Sequence, residues 1–200
     1  ANVIVVILIS IWAVRLGSFL FMRIHRDGED KRFRTIKPSA TQFFMTWTLQ
    51  GLWVSLCSMC ALTAIASETG VLINNLFYFG FTLFIFGFAI EVIADNQKSK
   101  FRSVPENRDK YITSGLWAKS RHPNFFGEIM LWTGIAIISL SSLQGMQYLT
   151  LISPLFTYLL LVYVSGVRML EARADKKWGD DEGYIKYKKE TPVLMIKFWR

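Results

Sequence analysis

A short segment that ends at Glu128 holds the densest group of side chains that could do chemistry. Arg121 and His122 come directly before Pro123, a residue that favours the first position of a helix. Backbone N–H groups at such a helix start, together with the adjacent cations, attract a phosphate or a carboxylate. Asn124 and Glu128 are one helical turn apart and share a face. The segment predicts either an anion-binding site or, more simply, a capped helix whose cations reach the membrane surface.

Four more ionisable residues are spaced as one face of a helix requires: Glu91, Asp95, Lys98 and Arg102. Their charges suit a salt-bridge ladder. A stripe that begins with a carboxylate in the bilayer and ends with an arginine at its surface also suits a ligand with polar and phosphate parts. Arg15 lies in an otherwise apolar run. Because ionisable groups in a membrane are costly, Arg15, Glu91 and Glu128 are expected to be paired or functional.

The elements that must position these residues are membrane helices. The chain is 52% hydrophobic with a mean hydropathy of +0.31, and residues 38–67, 69–90 and 129–167 carry no charge. About 20 apolar residues span a bilayer. The last run is too short for two spans and a turn, so its first helix must begin near Pro123. We predict an all-α polytopic bundle with five spans, at residues 2–24, 41–66, 71–94, 123–142 and 147–169.

The distribution of charge predicts the orientation of these spans. Of the 23 Lys and Arg residues, 22 lie in residues 23–37, 98–121 and 168–200. The positive-inside rule places these basic segments and the C-terminus in the cytoplasm. Anionic lipid headgroups then explain the net charge of +8, and no nucleic-acid partner is expected.

The tail after the last span is predicted to be cytoplasmic. Residues 170–191 are expected to form an amphipathic helix that is broken at Gly179 and Gly183 and ended by Thr191 and Pro192. The apolar residues beyond it are expected to return to the membrane surface: Leu194, Met195, Ile196, Phe198 and Trp199.

Cys57 and Cys60 lie in the middle of a predicted span, one helical turn apart. Because the surrounding sequence offers no further Cys or His, we interpret them as small packing residues, and no metal site is expected. The chain starts within an apolar run and without a Met. We therefore expect a single membrane domain, residues 1–200, whose upstream spans are missing.

Three stretches together resemble a known family: Arg121-His122-Pro123-Asn124-Phe125-Phe126-Gly127-Glu128, Glu91-x-x-x-Asp95-x-Gln97-Lys98, and the tail from Glu171 to Gly179. The chain resembles a bacterial branch, of unknown function, of the steroid 5α-reductase-like membrane proteins. That superfamily also includes the sterol C14 and C24(28) reductases and, more distantly, the isoprenylcysteine carboxyl methyltransferases. The Pro-Asn-Phe-Phe-Gly-Glu block is specific to the reductase side, whereas Arg-His-Pro is shared with the methyltransferases.

The resemblance implies reduction by NADPH of a carbon–carbon double bond conjugated to a carbonyl, in a steroid-like or other lipid substrate. It implies a protein of the bacterial inner membrane that takes cytosolic NADPH into a cavity among its last spans. The cofactor-binding residues carried over from the family are Asp95, Arg102, Asn124 and Arg168, with Glu128 in support, and less firmly Glu171, Arg173 and Tyr187. Their neighbours in the two motifs complete the candidate site: Glu91, Lys98, Arg121 and His122.

The chain departs from the steroid enzymes in its first span. Those enzymes carry a Tyr three residues before an Arg, and this chain has Trp12 before Arg15. Trp can donate a hydrogen bond but cannot give a proton to an enolate, so no catalytic residue is assigned. Two other functions stay open. One is a membrane methyltransferase that uses S-adenosylmethionine on a lipid or prenyl-thiol carboxylate, and the other is a non-catalytic lipid- or sterol-binding protein.

Overall fold

The computed structural model describes residues 1–29 and 33–197, except the side chains of Asp27 and Thr35. This part of the chain is helical and contains no β-strand, and five of its helical segments are long and apolar enough to cross a membrane. The predicted all-α polytopic bundle is therefore confirmed. The helices are α1 (Asn2–Asp27), α2 (Phe33–Ile36), α3 (Ala40–Ala66), α4 (Asn75–Ser103), α5 (Pro123–Leu140), α6 (Ile152–Leu159), α7 (Val167–Trp178) and α8 (Glu182–Glu190).

The helix starts follow from capping residues in the sequence. Ser39 caps α3, and its hydroxyl accepts a hydrogen bond from the Gln42 N–H at 3.3 Å. The third span was expected from residue 71, but α4 starts at Asn75 because the Asn74 side chain accepts from the Phe77 N–H at 3.0 Å. At its other end α4 continues without a break to Ser103, so its ionisable residues do lie on one helix.

The last span is not the unbroken helix that was expected over residues 147–169. A 3-10 helix, Gly145–Leu151, leads into α6, and a single π turn, Leu160–Val164, follows. The chain then breaks at Ser165 and Gly166 before α7 begins. Both the N–H and the hydroxyl of Ser165 donate to the Leu160 carbonyl, at 2.9 and 3.2 Å. These two bonds satisfy a carbonyl that would otherwise be left without a partner in the membrane.

The tail agrees with the prediction at one glycine and differs at the other. Gly179 ends α7, as expected. Gly183 was expected to break the helix but lies inside α8, which starts at Asp181, whose carboxylate caps the Tyr184 N–H at 2.8 Å. The Asp181 cap starts α8 two residues before Gly183, so the glycine lies within the first turn and does not break the helix.

Helices α4 and α5 are antiparallel and meet backbone to backbone at two pairs of glycines. Gly80 faces Gly134, and Gly87 faces Gly127. A Cβ atom on Gly87 would lie 2.6 Å from the Gly127 carbonyl oxygen, and one on Gly134 would lie 2.5 Å from that of Gly80. Small residues allow this approach, and the contact between backbones replaces the hydrophobic drive that lipid does not supply. The glycine seam fixes the position of the acidic residues of α4 relative to α5.

The other helices surround this pair, and α5 is central, with ten of its 18 residues buried. The start of α1 lies at the end of α3, because Asn2 donates to the Ile65 carbonyl at 3.3 Å and accepts from the Val71 N–H at 2.7 Å. Both cysteines are buried and free where α3 meets α6, and Cys57 accepts from the Thr157 hydroxyl at 3.1 Å.

The segment after α8 does not lie freely at the membrane surface. The N–H groups of Arg121 and His122 donate to the carbonyls of Pro192 and Val193, at 2.9 and 3.0 Å. The Lys197 N–H donates to the Lys119 carbonyl at 3.0 Å. Ile196 is buried and Met195 is 68% exposed, so only part of this segment is available to the membrane surface. Phe198 and Trp199 lie outside the described residues.

Candidate functional site

The centre of the candidate site is an ion cluster between α1 and α4. The Arg15 Nη1 atom lies 2.5 Å from Glu91 Oε1, and its Nη2 atom pairs with Asp95. Glu91 and Asp95 are only 3% and 7% exposed. The two carboxylates thus pair with a guanidinium from another helix. Among the described residues, they do not pair with the cations of α4 in the salt-bridge ladder that their spacing suggested. Because the planar guanidinium of Arg15 donates hydrogen bonds to both carboxylates, it holds both acidic side chains in one orientation.

Glu128 and Asn124 face this ion cluster from α5. Glu128 is 7% exposed and lies within electrostatic range of Arg15 and Asp95, and Asn124 lies beside the Asp95 carboxyl group. The Asn124 Oδ1 atom and the Glu128 Oε1 atom are buried without a hydrogen-bond partner among the described residues. Buried polar atoms are nearly always bonded, so these two atoms mark a place for a polar ligand.

Lys98 and Arg102 lead from this cluster toward the basic end of α4. The Lys98 ammonium lies 4.3 Å from the centre of the Trp117 ring, and Trp117 is itself held by a 3.0 Å hydrogen bond from its indole N–H to the Ala94 carbonyl. The positive charges of Arg102 and Arg23 act on Lys98. Three cations thus gather where the acidic cluster opens toward the basic segments, which suits a phosphate.

Arg121 and His122 are engaged with the tail. Glu171 of α7 forms an ion pair with Arg121, 2.7 Å from its Nη1 atom, and a hydrogen bond with the Nε2 atom of His122, at 2.8 Å. Their backbone N–H groups are used by the carbonyls of Pro192 and Val193. The expected anion site therefore does not have these two N–H groups available, since the C-terminal segment occupies them. The Arg121 guanidinium and the His122 ring remain at the start of α5.

The His122 ring keeps one unused nitrogen. The ring is 5% exposed, and burial lowers its pKa below 6.5, while the hydrogen bond to Glu171 opposes that shift. In the neutral ring that burial favours, Nε2–H donates to Glu171, and Nδ1 is then an acceptor. Nδ1 is buried and has no partner in the described part of the chain.

The remaining candidates lie on the tail. The Tyr187 hydroxyl donates to the Trp117 carbonyl at 2.6 Å, and burial raises the pKa of Tyr187 to about 12. Tyr187 therefore ties α8 to the aromatic ring beneath Lys98. Arg168 and Arg173 are both exposed on α7. Neither arginine is buried in the cluster around Arg15, and their proposed part in binding stays a prediction.

Sequence reasoning identified Trp12 but missed the two tryptophans that pack against it in the apolar half of the site. Trp12 of α1 contacts Trp132 of α5, with ring centres 4.9 Å apart, and Trp53 of α3, at 6.4 Å. The indole N–H groups of all three are buried and have no acceptor among the described residues. Trp132 lies one turn beyond Glu128 on α5, and that spacing was the one signal that could have identified it.

A cavity of about 450 Å³ opens on the outer side of α1 beside this group. It is lined by Ile7, Ser10, Ile11, Val14 and Arg15. The lining is apolar except at Ser10 and Arg15, and Arg15 is the residue that this shallow, open cavity shares with the ion cluster.

Comparison with known proteins agrees with the membrane architecture. Residues 1–191 match the family described as "Protein of unknown function (DUF1295)". The chain belongs to this family. It is also similar to a protein of Ustilaginoidea virens named "Probable O-methyltransferase ustE", with 30% identity over 116 residues that cover 50% of this chain and 41% of that protein. No solved structure matches the chain.

These matches identify the family of the chain but do not identify a reaction. The chain spans less than half the length of the Ustilaginoidea virens protein. The name of that relative fits the methyltransferase side of the superfamily that the sequence resembles. Neither match identifies the reductase branch, which stays a prediction for this DUF1295 protein.

Proposed function

We propose that this chain is a membrane oxidoreductase that uses NADPH to reduce a carbon–carbon double bond conjugated to a carbonyl in an apolar lipid. The observation that carries this proposal is the pair of unpartnered buried atoms, Asn124 Oδ1 and Glu128 Oε1, at the inner end of a row of cations. A ligand that fits must have a polar, amide-like end and an anionic end. Nicotinamide dinucleotides have both.

The residues present fit the cofactor in charge and in hydrogen-bonding type. Lys98 and Arg102 are of the kind that binds phosphates, and Asn124 and Glu128 can orient a carboxamide. When bound, NADPH supplies a hydride. The protein supplies binding, orientation and the exclusion of water by a buried, apolar surrounding.

In this proposal the tryptophans form the part of the site that binds the substrate. Trp12 and Trp132 each present a buried N–H group that lacks an acceptor among the described residues. A carbonyl oxygen on an apolar molecule is the acceptor that such a donor needs, because an unmade buried hydrogen bond costs about 1–3 kcal/mol. A donor aimed at the carbonyl also polarises a double bond that is conjugated to it.

A second function, methyl transfer from S-adenosylmethionine, is supported by the name of the Ustilaginoidea virens relative. The acidic residues Glu91, Asp95 and Glu128 would suit the positive sulfonium group. The cations Lys98, Arg102 and Arg23, which repel one another, favour the dinucleotide, since its phosphates carry several negative charges and S-adenosylmethionine is cationic overall. The charge of the ligand is therefore the property that separates the two functions.

Titration of the purified protein in nanodiscs with each cofactor tests the proposal. NADPH is expected to bind, and Asn124→Ala and Arg102→Ala are each expected to weaken its binding by about 1–3 kcal/mol, or roughly 5- to 150-fold in Kd. The matched control is Lys177→Ala, because Lys177 pairs with the exposed Asp109 at 2.6 Å, outside the candidate site. Binding in this control should equal that of the wild type.

Three results would contradict the proposed site or the proposed cofactor. Unchanged affinity in both variants would remove these residues from the site. Binding of S-adenosylmethionine without binding of NADPH would establish the second function. Binding of neither, with retention of a sterol or another lipid, would indicate a lipid-binding protein without chemistry.

A further inference from the structure

The buried cluster contains more negative than positive groups. Glu91, Asp95 and Glu128 contribute three carboxyl groups, from α4 and α5. The cations that face them are Arg15 of α1 and Lys98, whose charge acts on Asp95. If all three carboxyl groups were ionised, the cluster would hold an uncompensated negative charge among apolar helices. Such a charge is costly in hydrocarbon, and protonation of one carboxyl group removes it.

The contacts distinguish which carboxyl group can hold the proton. Glu91 and Asp95 each bond directly to the Arg15 guanidinium, which favours their ionised forms. Glu128 forms no ion pair within the described ranges, and its Oε1 atom is buried without a partner. The nearest titratable group on α3 is the Cys57 thiol, which brings no positive charge. Glu128 is therefore the carboxyl group with the least compensation.

We propose that Glu128 holds a proton in the resting protein and is the source of the proton that the reduction consumes. The proposal rests on the proposed function, since the reduction of a conjugated double bond consumes a proton, whereas methyl transfer to a carboxylate and lipid binding do not. It also fills the gap left by Trp12, which cannot supply a proton.

The transfer of this proton completes the reduction of the double bond. The O–H bond of Glu128 breaks, and a C–H bond forms at the substrate carbon next to the carbonyl. The hydride that NADPH supplies forms the second new C–H bond, at the far carbon of the double bond. The double bond is reduced and the cofactor is oxidised. Glu128 is left as a carboxylate within range of Arg15 and regains a proton from solvent.

Infrared spectroscopy of the protein without cofactor tests this inference. At pH 7 the wild type is expected to show the carbonyl stretching band of a protonated carboxylic acid, and labelling with ¹³C-glutamate is expected to shift that band. Labelling with ¹³C-aspartate should leave it in place. This measurement needs no variant and therefore does not depend on the stability of a mutant.

Two variants then assign the band. Glu128→Gln is expected to remove it and to keep the fold, because the amide has the shape of the neutral acid. Glu68→Gln is the matched control, since Glu68 is exposed and lies in the turn between α3 and α4, and the band should remain. Absence of the band in the wild type, its shift with labelled aspartate, or its persistence in Glu128→Gln would each overturn the inference. If the infrared band is present but the protein does not bind NADPH, the proposed function is refuted. The assignment of the proton to Glu128 then still holds.

Discussion

His122 joins three separate parts of the chain through one residue. Its backbone N–H donates to Val193 at 3.0 Å, its Nε2 atom bonds to Glu171 at 2.8 Å, and its ring stacks on Phe125 with centres 5.7 Å apart. The contacts with α7 and with Phe125 therefore depend on the state of the ring, whereas the contact with the C-terminal segment is made by the backbone.

The pKa of His122 predicts how stability changes with pH. Burial lowers this pKa below 6.5 in the folded protein, so at lower pH the unfolded chain binds a proton that the folded chain does not. The free energy of unfolding is therefore expected to fall as the pH decreases below 6.5, by at most about 1.4 kcal/mol per pH unit from this residue. Apparent melting temperatures in detergent across this pH range measure the effect.

The comparison of two histidines isolates that contribution. His122→Gln should flatten the dependence of the melting temperature on pH. His25→Gln should leave it as in the wild type, because His25 is exposed at the end of α1. An equal slope in His122→Gln and the wild type would show that His122 does not titrate in this range.

At the scale of elements, the glycine seam between α4 and α5 predicts a strong effect of a single methyl group. In Gly87→Ala the new Cβ would lie 2.6 Å from both the Gly127 carbonyl oxygen and the Leu131 backbone nitrogen, so the helices must separate. We expect a loss of about 1–3 kcal/mol in stability, from the typical cost of overpacking. Thermal unfolding of the purified protein measures it.

The control for the seam is Gly51→Ala on α3. Apart from the adjacent backbone of α3, no atom of the described residues lies within 4 Å of a Cβ at Gly51, so this variant changes helix propensity without changing packing. We expect it to be neutral or to stabilise by up to about 1 kcal/mol. If both variants melted alike, close contact between backbones would not be the source of the stability of the seam.

The same elements show how far the sequence could predict this molecule. The spacing of Glu91, Asp95, Asn124 and Glu128 was sufficient to place them on single helix faces, because a regular helix fixes residues within a few turns of one another. Their partners could not be predicted, since Arg15 is 76 residues from Glu91, and Glu171 is 49 residues from His122. Such pairs depend on which helices become neighbours.

The break in the last span was missed for a related reason. Residues 129–167 carry no charge, and a continuous apolar run gives no signal of where a helix ends within it. Ser165 determines that end through two hydrogen bonds to the Leu160 carbonyl, a feature that hydropathy does not measure.

For the whole molecule, the distribution of basic residues predicts the sidedness of two positions. Lys110 lies in the basic loop after α4, and Met146 lies in the 3-10 helix that follows α5, where it is 79% exposed. Lys110→Cys is expected to react with a membrane-impermeant maleimide only from the cytoplasmic side, and Met146→Cys only from the opposite side. Labelling of intact cells and of inverted vesicles measures both.

The unmodified chain serves as the control for that labelling. Cys57 and Cys60 are 1% and 0% exposed and lie among apolar side chains, so the wild type should not react from either side. Reaction of both variants from the same side would contradict the five-span arrangement.

The cavity on α1 has a consequence for how a substrate concentration should be expressed. The glycine seam closes the path between α4 and α5, whereas the space beside Ile7, Ile11 and Val14 opens sideways to acyl chains. A molecule that arrives by this route does so by diffusion in two dimensions. Occupancy then follows its mole fraction in the lipid, so adding inert phospholipid at constant total substrate lowers the saturation of the protein.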